Sequence, residues 1–196
     1  MAKGTIYRVA FRRRREDRTD YRLRKRLISS RLPRLVIRRS LKHTYLQLVE
    51  ARIEGDHVLV TASTAELRKY GWKGGTGNVP AAYLAGFLIG KKAIAKGISK
   101  AIVDINGYAV TKSNRILNAM KGAIDSGMEI PHGEEVLPDE DRTKGTAIAD
   151  FASALQAEDP AKYQRMFSSY LKNELPPESI VDHFEAVKAA IKKEVK

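Results

Sequence analysis

Twelve arginines and one lysine fall between Phe11 and Ser40, and their dominant chemistry is phosphate binding. Within residues 8 to 26 the ratio is nine arginines to one lysine. A guanidinium is planar, permanently charged and forked, which suits phosphates and base edges better than an ammonium does. Tyr7, Phe11 and Tyr21 interleave rings with Arg8, Arg12, Arg13, Arg14, Arg15, Arg18, Arg22, Arg24, Lys25 and Arg26. Rings can stack on unpaired bases while neighbouring cations hold the backbone, a combination suited to looped RNA. RNA is favoured over DNA because no helix-turn-helix, zinc-finger or zipper pattern is present. Basic amphipathic helices also lie on anionic membranes or bind calmodulin, and a run such as Arg12–Arg15 also occurs in import signals. The amphipathic stretch here, Tyr21–Ser30, has only ten residues and a thin apolar face, which is poor for membrane insertion.

Other constellations are weaker. GWKGGTGN (71–78) runs into a helix start, the setting of a phosphate loop. It fails GxxxxGK[ST], and it fails GxGxxG followed by an acid some twenty residues on. What remains is a glycine loop whose backbone N–H groups, flanked by Lys69 and Lys73, suit an RNA phosphate as readily as a nucleotide. Two-metal nuclease chemistry needs converging carboxylates. Asp56, Asp104 and Asp125 are the candidates in the body, and each type is more often a surface or capping residue. His43, His57, His132 and His183 are scattered without metal-ligand spacing, and no GxSxG is present. The expectation is a non-enzymatic protein with no metal and no cofactor.

Composition sets the frame for these groups. A chain of 196 residues with 43% hydrophobic content can bury a core. It has no cysteine, hence no disulfide and no thiolate zinc site. MAKGTIYRVAF lacks the apolar region of a secretory signal, and the longest apolar run, Val79–Gly90, is too short for a bilayer, so a soluble protein is expected. The net charge of +13 is carried entirely by residues 1–42, with 16 Lys/Arg against 3 acids, while residues 43–196 balance 20 against 20. Within that remainder, residues 43–133 carry +4 and residues 134–196 carry −4. A one-signed block of this density repels itself and calls for a polyanion. The free arm is therefore expected to be largely disordered and to order on binding.

The elements that must position these groups follow from patterning. Arg12–Arg15 reads as extended or irregular, and Tyr21–Ser30 as a short helix capped by Asp20. Arg34–Ser40, Thr44–Ala51 and His57–Thr64 alternate β-formers with polar residues, a meander with turns at His43 and Glu54–Asp56. Asn78, Val79 and Pro80 open a helix, apolar nearly all round, that stops at Gly97. Lys100–Ile105 reads as a buried strand completing a parallel crossover. Ser113–Ser126 forms a second helix, and Met128–Pro131 a last short strand. An acidic stretch then precedes three helical patterns, Ala147–Ala157, Ala161–Asn173 and Pro177–Glu194. The fold class is α/β: a mixed β-sheet (antiparallel meander plus parallel βαβ crossover) packed with two helices, a basic N-terminal arm and a helical C-terminal extension. The expected divisions are an arm at 1–32, a body at 33–132, a linker at 133–145 and the extension at 146–196.

FRRRREDRTDYRLRKRL, ARIEGD, KYGWKGGTGNVPAAY and NAMKGAIDSGMEIPH together resemble a large-subunit ribosomal protein family, number eighteen in the universal naming, in its archaeal and eukaryotic branch. The likeness runs from about Arg8 to His132 and continues more loosely through DPAKYQRMFSSYLKN. It implies a cytoplasmic ribosomal protein that binds 5S rRNA and joins it to the 23S-type rRNA in the central protuberance, beside neighbouring large-subunit proteins. It implies no membrane and no small-molecule substrate. By the same likeness Arg12, Arg13, Arg14, Arg15, Arg18, Tyr21, Arg22, Lys25 and Arg26 contact rRNA. Lys69, Tyr70, Lys73, Gly74, Thr76 and Asn78 form a further contact, and Arg34, Arg38, Arg39 and Lys42 present a basic face. The resemblance assigns no role to Trp72.

Overall fold

A computed structural model describes residues 4–105, 107–109 and 111–195. Strands β1 (Arg34–Arg39), β2 (Thr44–Ala51) and β3 (Asp56–Ser63) form the expected antiparallel meander. A short β4 (Ile102–Asp104) joins β1 in parallel, so the sheet order is β3-β2-β1-β4. The chain leaves one edge of the sheet at β3 and returns at the other. Alternation sends Leu35, Ile37, Leu46, Leu48, Val60 and Ala62 to one face, where all six are buried. Arg34, Val36 and Arg38 point to the opposite face, in register with Val49, Gln47 and Tyr45 of β2.

Two helices precede the sheet, α1 (Arg12–Arg15) and α2 (Tyr21–Ser29). The apolar face is covered by α3 (Val79–Ala95) and α4 (Arg115–Asp125). Asn78 caps α3 by accepting from the Ala81 N–H at 3.0 Å, and Gly97, at φ 76°, ends it. The two helices approach until backbones touch: a Cβ on Gly86 would overlap the Ala119 carbonyl, and one on Gly122 the Tyr83 carbonyl. On the edge strand β3, Lys96 Nζ donates to the Leu59 carbonyl at 2.7 Å and Lys92 Nζ to the Thr61 carbonyl at 3.3 Å. Lysines on an exposed edge oppose pairing with another chain.

The C-terminal region contains α5 (Glu140–Lys144), α6 (Thr146–Glu158), α7 (Pro160–Met166), α8 (Ser168–Lys172) and α9 (Ile180–Glu194). Ile180, Phe184, Val187 and Ile191 of α9 enter the same core as the sheet and α3, roughly 1.5–3 kcal/mol apiece on area arithmetic. Ala152, Leu155, Tyr163 and Phe167 form a second, smaller cluster. The acidic stretch is pinned where Thr143 donates to Asn118 Oδ1 at 2.9 Å and Lys121 Nζ to the Pro138 carbonyl at 2.7 Å.

Four readings differ from the structure. The arm, expected to be largely disordered when free, is folded into α1 and an α2 bonded to the sheet through Arg24 and Asp56. Arg12–Arg15 is one helical turn rather than extended, closed by Arg15 N–H to the Phe11 carbonyl, with Glu16 following to pair with Arg12 and Arg18. The helix expected over Ala161–Asn173 breaks at Phe167, whose ring turns into the second cluster. Met128–Pro131 contributes a single parallel bridge, Lys100 to Glu129, instead of a strand.

Candidate nucleic-acid interface

The arm begins as an exposed segment. Tyr7 is 52% and Phe11 74% exposed, and Arg8 and all four side chains of α1 face solvent. Phe11 and Tyr21 meet at 5.6 Å between ring centres, and Arg13 Nε donates to Thr19 Oγ1 at 2.8 Å. These contacts fold the run back beside α2. Asp20 caps α2 by accepting from the N–H groups of Arg22 and Leu23 at 2.8 and 3.1 Å. Leu27 is buried beneath the helix and Leu23 is half-buried. Arg22, Lys25 and Arg26 are left on the outward side, exposed. A cleft of about 450 Å³ opens between arm and sheet, lined by Arg13, Arg18, Tyr21, Val36 and Arg38 among others.

Beneath α2 runs a chain of alternating charges. Arg24 places Nη1 and Nη2 at 2.9 and 2.6 Å from the two oxygens of Asp56. Arg34 spans Asp56 Oδ2 and Asp104 Oδ2, each at 2.8 Å, and Arg38 Nη2 reaches Asp104 Oδ1 at 3.1 Å. The Arg24 hydrogen bonds, helped by Arg34 and opposed by partial burial, hold the Asp56 carboxyl down at about 2. The same hydrogen bonds raise the Arg24 guanidinium above its ordinary value. Arg34 is 2% exposed, so no phosphate can reach it without this chain being broken.

The basic face expected from Arg34, Arg38, Arg39 and Lys42 is divided by strand periodicity. Arg34 and Arg38 share one face of β1. Arg39, one position on, turns the other way and lies 5.4 Å from the Tyr108 ring centre. Lys42 sits in the β1–β2 turn, where its carbonyl accepts from Thr76 Oγ1 at 2.9 Å. That bond brings the turn against the glycine loop. Arg115, which sequence reasoning passed over, seals the junction by donating to the Gly77 and Ser40 carbonyls at 2.9 and 3.3 Å.

The glycine loop is held from the far end of the chain. The Lys73 N–H donates to His183 Nε2 at 3.0 Å, and Asn173 Nδ2 donates to the Lys73 carbonyl at 2.8 Å. Asn78 Nδ2 donates to the Tyr170 hydroxyl at 3.1 Å. Trp72 is buried, stacks on His183 at 5.1 Å and donates Nε1–H to the Gly75 carbonyl at 3.1 Å. Gly74 is required beside it, because a Cβ there would stand 2.8 Å from the indole. Lys69 and Lys73 remain exposed, and Tyr70 is half-buried against the core. Burial, with Lys73 nearby, lowers the His183 imidazole below its ordinary value.

The carboxylates considered for metal chemistry are otherwise engaged: Asp56 and Asp104 by arginines, and Asp125 by the Tyr83 hydroxyl at 2.7 Å. Among the described residues no helix is long and apolar enough to cross a membrane. What the site offers is an exposed row of arginines and rings on a docked helix, and a rigid glycine loop flanked by lysines. Residues 5–100 match the family model described as ribosomal large subunit proteins 60S L5 and 50S L18. Over that stretch, 96 of the 196 residues, the chain is similar to that family of large-subunit ribosomal proteins, a structural, non-enzymatic class that works with ribosomal RNA and other ribosomal proteins.

Proposed function

We propose that this protein binds 5S rRNA and attaches it to the large-subunit rRNA in the central protuberance of the cytoplasmic ribosome. The observation that supports this most is where the charge sits on the fold. Sixteen Lys/Arg against three acids occupy residues 1–42, and the remaining chain is neutral. The exposed contacts are Tyr7, Arg8, Phe11, Arg12–Arg15, Arg18, Arg22, Lys25 and Arg26, with Tyr21 and Arg38 lining the cleft. Lys42, Lys69, Lys73 and the backbone of Gly74 form a second contact at the glycine loop. Thr76 and Asn78 shape that loop and do not reach outward, since their polar atoms are bonded within the protein.

Each phosphate neutralised contributes about −0.7 to −0.9 to the log–log salt slope of binding. Preference for one RNA comes from geometry, with rings and guanidinium forks meeting unpaired bases at fixed places. The test is a competition titration of 5S rRNA against a structured RNA of equal length at several salt concentrations. Full-length protein is compared with a variant in which Arg12, Arg13, Arg14 and Arg15 are all glutamine. A 5S preference that survives rising salt, with a shallower slope in the variant, supports the reading. Equal binding of both RNAs at every salt concentration removes it.

A further inference from the structure

A protein that grips a polyanion gains from each cation and loses from each nearby anion, so two carboxylates directly under the basic arm look like a defect. Asp56 and Asp104 occupy that position. Their oxygens are all taken: Asp56 Oδ1 and Oδ2 by Arg24, Asp56 Oδ2 also by Arg34, Asp104 Oδ2 by Arg34 and Oδ1 by Arg38. The charges alternate along Arg24–Asp56–Arg34–Asp104–Arg38, linking α2 to three strands of the sheet. Without the two carboxylates, three guanidiniums would share one patch, one of them 2% exposed.

Helix geometry gives this chain a further consequence. Residues three and four apart share a face of a helix, so Leu23, Arg24 and Leu27 form the side of α2 that meets the sheet. Arg22, Lys25 and Arg26 lie on the other side, exposed. Two leucines alone leave α2 free to roll on the sheet, because apolar contact is not directional. A forked two-bond contact between Arg24 and Asp56 is directional. It fixes the roll of α2 and hence where the three outward cations point.

We infer that Asp56 and Asp104 are positioning residues of the RNA-binding arm, and that Arg24 is an anchor of α2 instead of an RNA contact. The inference rests on the proposed 5S rRNA binding, and it makes a prediction opposite in sign to simple electrostatics. Asp56→Asn removes negative charge beneath a cationic arm, so on charge alone it tightens binding to every RNA. If Asp56 positions α2, the variant loses discrimination while its grip on RNA in general holds or rises.

The experiment uses the full chain as wild type and as Asp56→Asn, Asp56→Glu, Arg24→Gln and Asp56→Asn with Arg24→Gln. Hydrogen exchange reads protection of Tyr21–Ser29. Fluorescence of Trp72, the single tryptophan, reads integrity of the glycine loop. Competition titration reads 5S rRNA against a structured control RNA. The expected result for Asp56→Asn is lost protection of α2 and unchanged Trp72 emission. Preference for 5S rRNA falls about tenfold, the size of coupling usual between contacting charged side chains. The salt slope is no shallower. Asp56→Glu restores much of the preference, and the double variant releases α2 no further than either single variant. Unchanged α2 protection in Asp56→Asn overturns the inference, as does lost protection with full 5S preference. A wild-type protein that does not prefer 5S rRNA overturns the proposed function instead, and the exchange measurement then still decides whether Asp56 docks α2.

Discussion

The arm and the glycine loop are both held to the body by distant parts of the sequence, but by opposite chemistry. The arm is fixed by the Arg24–Asp56 ion pair, which Arg34 of the sheet extends to Asp104. The loop is fixed mainly by neutral hydrogen bonds with Tyr170, Asn173 and His183 and by the Trp72–His183 stack, its charged contacts being Arg115 on the Gly77 carbonyl and the exposed Lys73–Glu174 pair. A contact made of charges can be re-partnered when a polyanion arrives, because phosphates offer the arginines an alternative. A contact made of neutral bonds and rings has nothing to exchange with a phosphate. The arm is therefore the adjustable element and the loop the fixed one, although both border the proposed RNA surface.

The largest effect expected on either side is from Asp104→Asn. It leaves buried Arg34 with Asp56 as its remaining carboxylate, and weakening a buried charge cluster in this way costs about 3 kcal/mol, the lower end of the range for breaking a buried pair. Urea unfolding should register the whole of it; a loss below about 1 kcal/mol would mean that water reaches Arg34 and that the arm is not anchored by buried charge. His183→Ala is the matching test for the loop. Losing the stack and the acceptor for the Lys73 N–H should cost about 2 kcal/mol, with a shift in Trp72 emission. An unshifted emission would show that α9 does not shape the loop.

Acid should separate the two regions. His183 accepts through Nε2 and must be neutral, and its folded value lies below the ordinary 6.5. The stability it contributes is complete above pH 6.5 and is lost as pH falls from there toward the folded value, since the unfolded state takes up the proton first. Asp56 is held at about 2 against an ordinary 3.8, so its contribution persists until the pH falls below 3.8. As pH falls from 6.5 to 3.8 the Trp72 signal should report a progressively loosened loop while Tyr21–Ser29 keeps its exchange protection. Both regions loosening together would erase the distinction. The smallest effect is salt: at 1 M the partly exposed Arg24–Asp56 pair should weaken by less than about 1 kcal/mol, with Trp72 unaffected. Protease sensitivity then rises at Arg22–Arg26 alone.

Local signals carried much of this architecture. Asn78, Val79, Pro80 and Gly97 bound α3 as read, and alternation placed β2 at Thr44–Ala51 with both ends correct. Asp20 caps α2 as expected. The contacts that organise the site were not legible, because they depend on pairings between remote residues. Arg34 meets Asp104 seventy positions away, and only after the chain crosses from β3 to the opposite edge of the sheet. Asp56 sits in a turn motif that explains it without reference to any arginine. His183 lies 110 residues from Lys73, on a helix whose periodicity advertises only its packing face. Charge density marks the arm as a block, but it does not distinguish an arginine that faces solvent from one that faces an aspartate.

The separation of Arg34 from Asp104 also bears on how the molecule is made. Translation runs at about 5–20 residues per second, so several seconds pass between the emergence of Arg34 and the synthesis of its second carboxylate partner. Throughout that interval the basic segment is out and β4 does not yet exist. A segment made before the sheet is thus among the last to be secured, and the nascent arm spends its early life as a bare polycation.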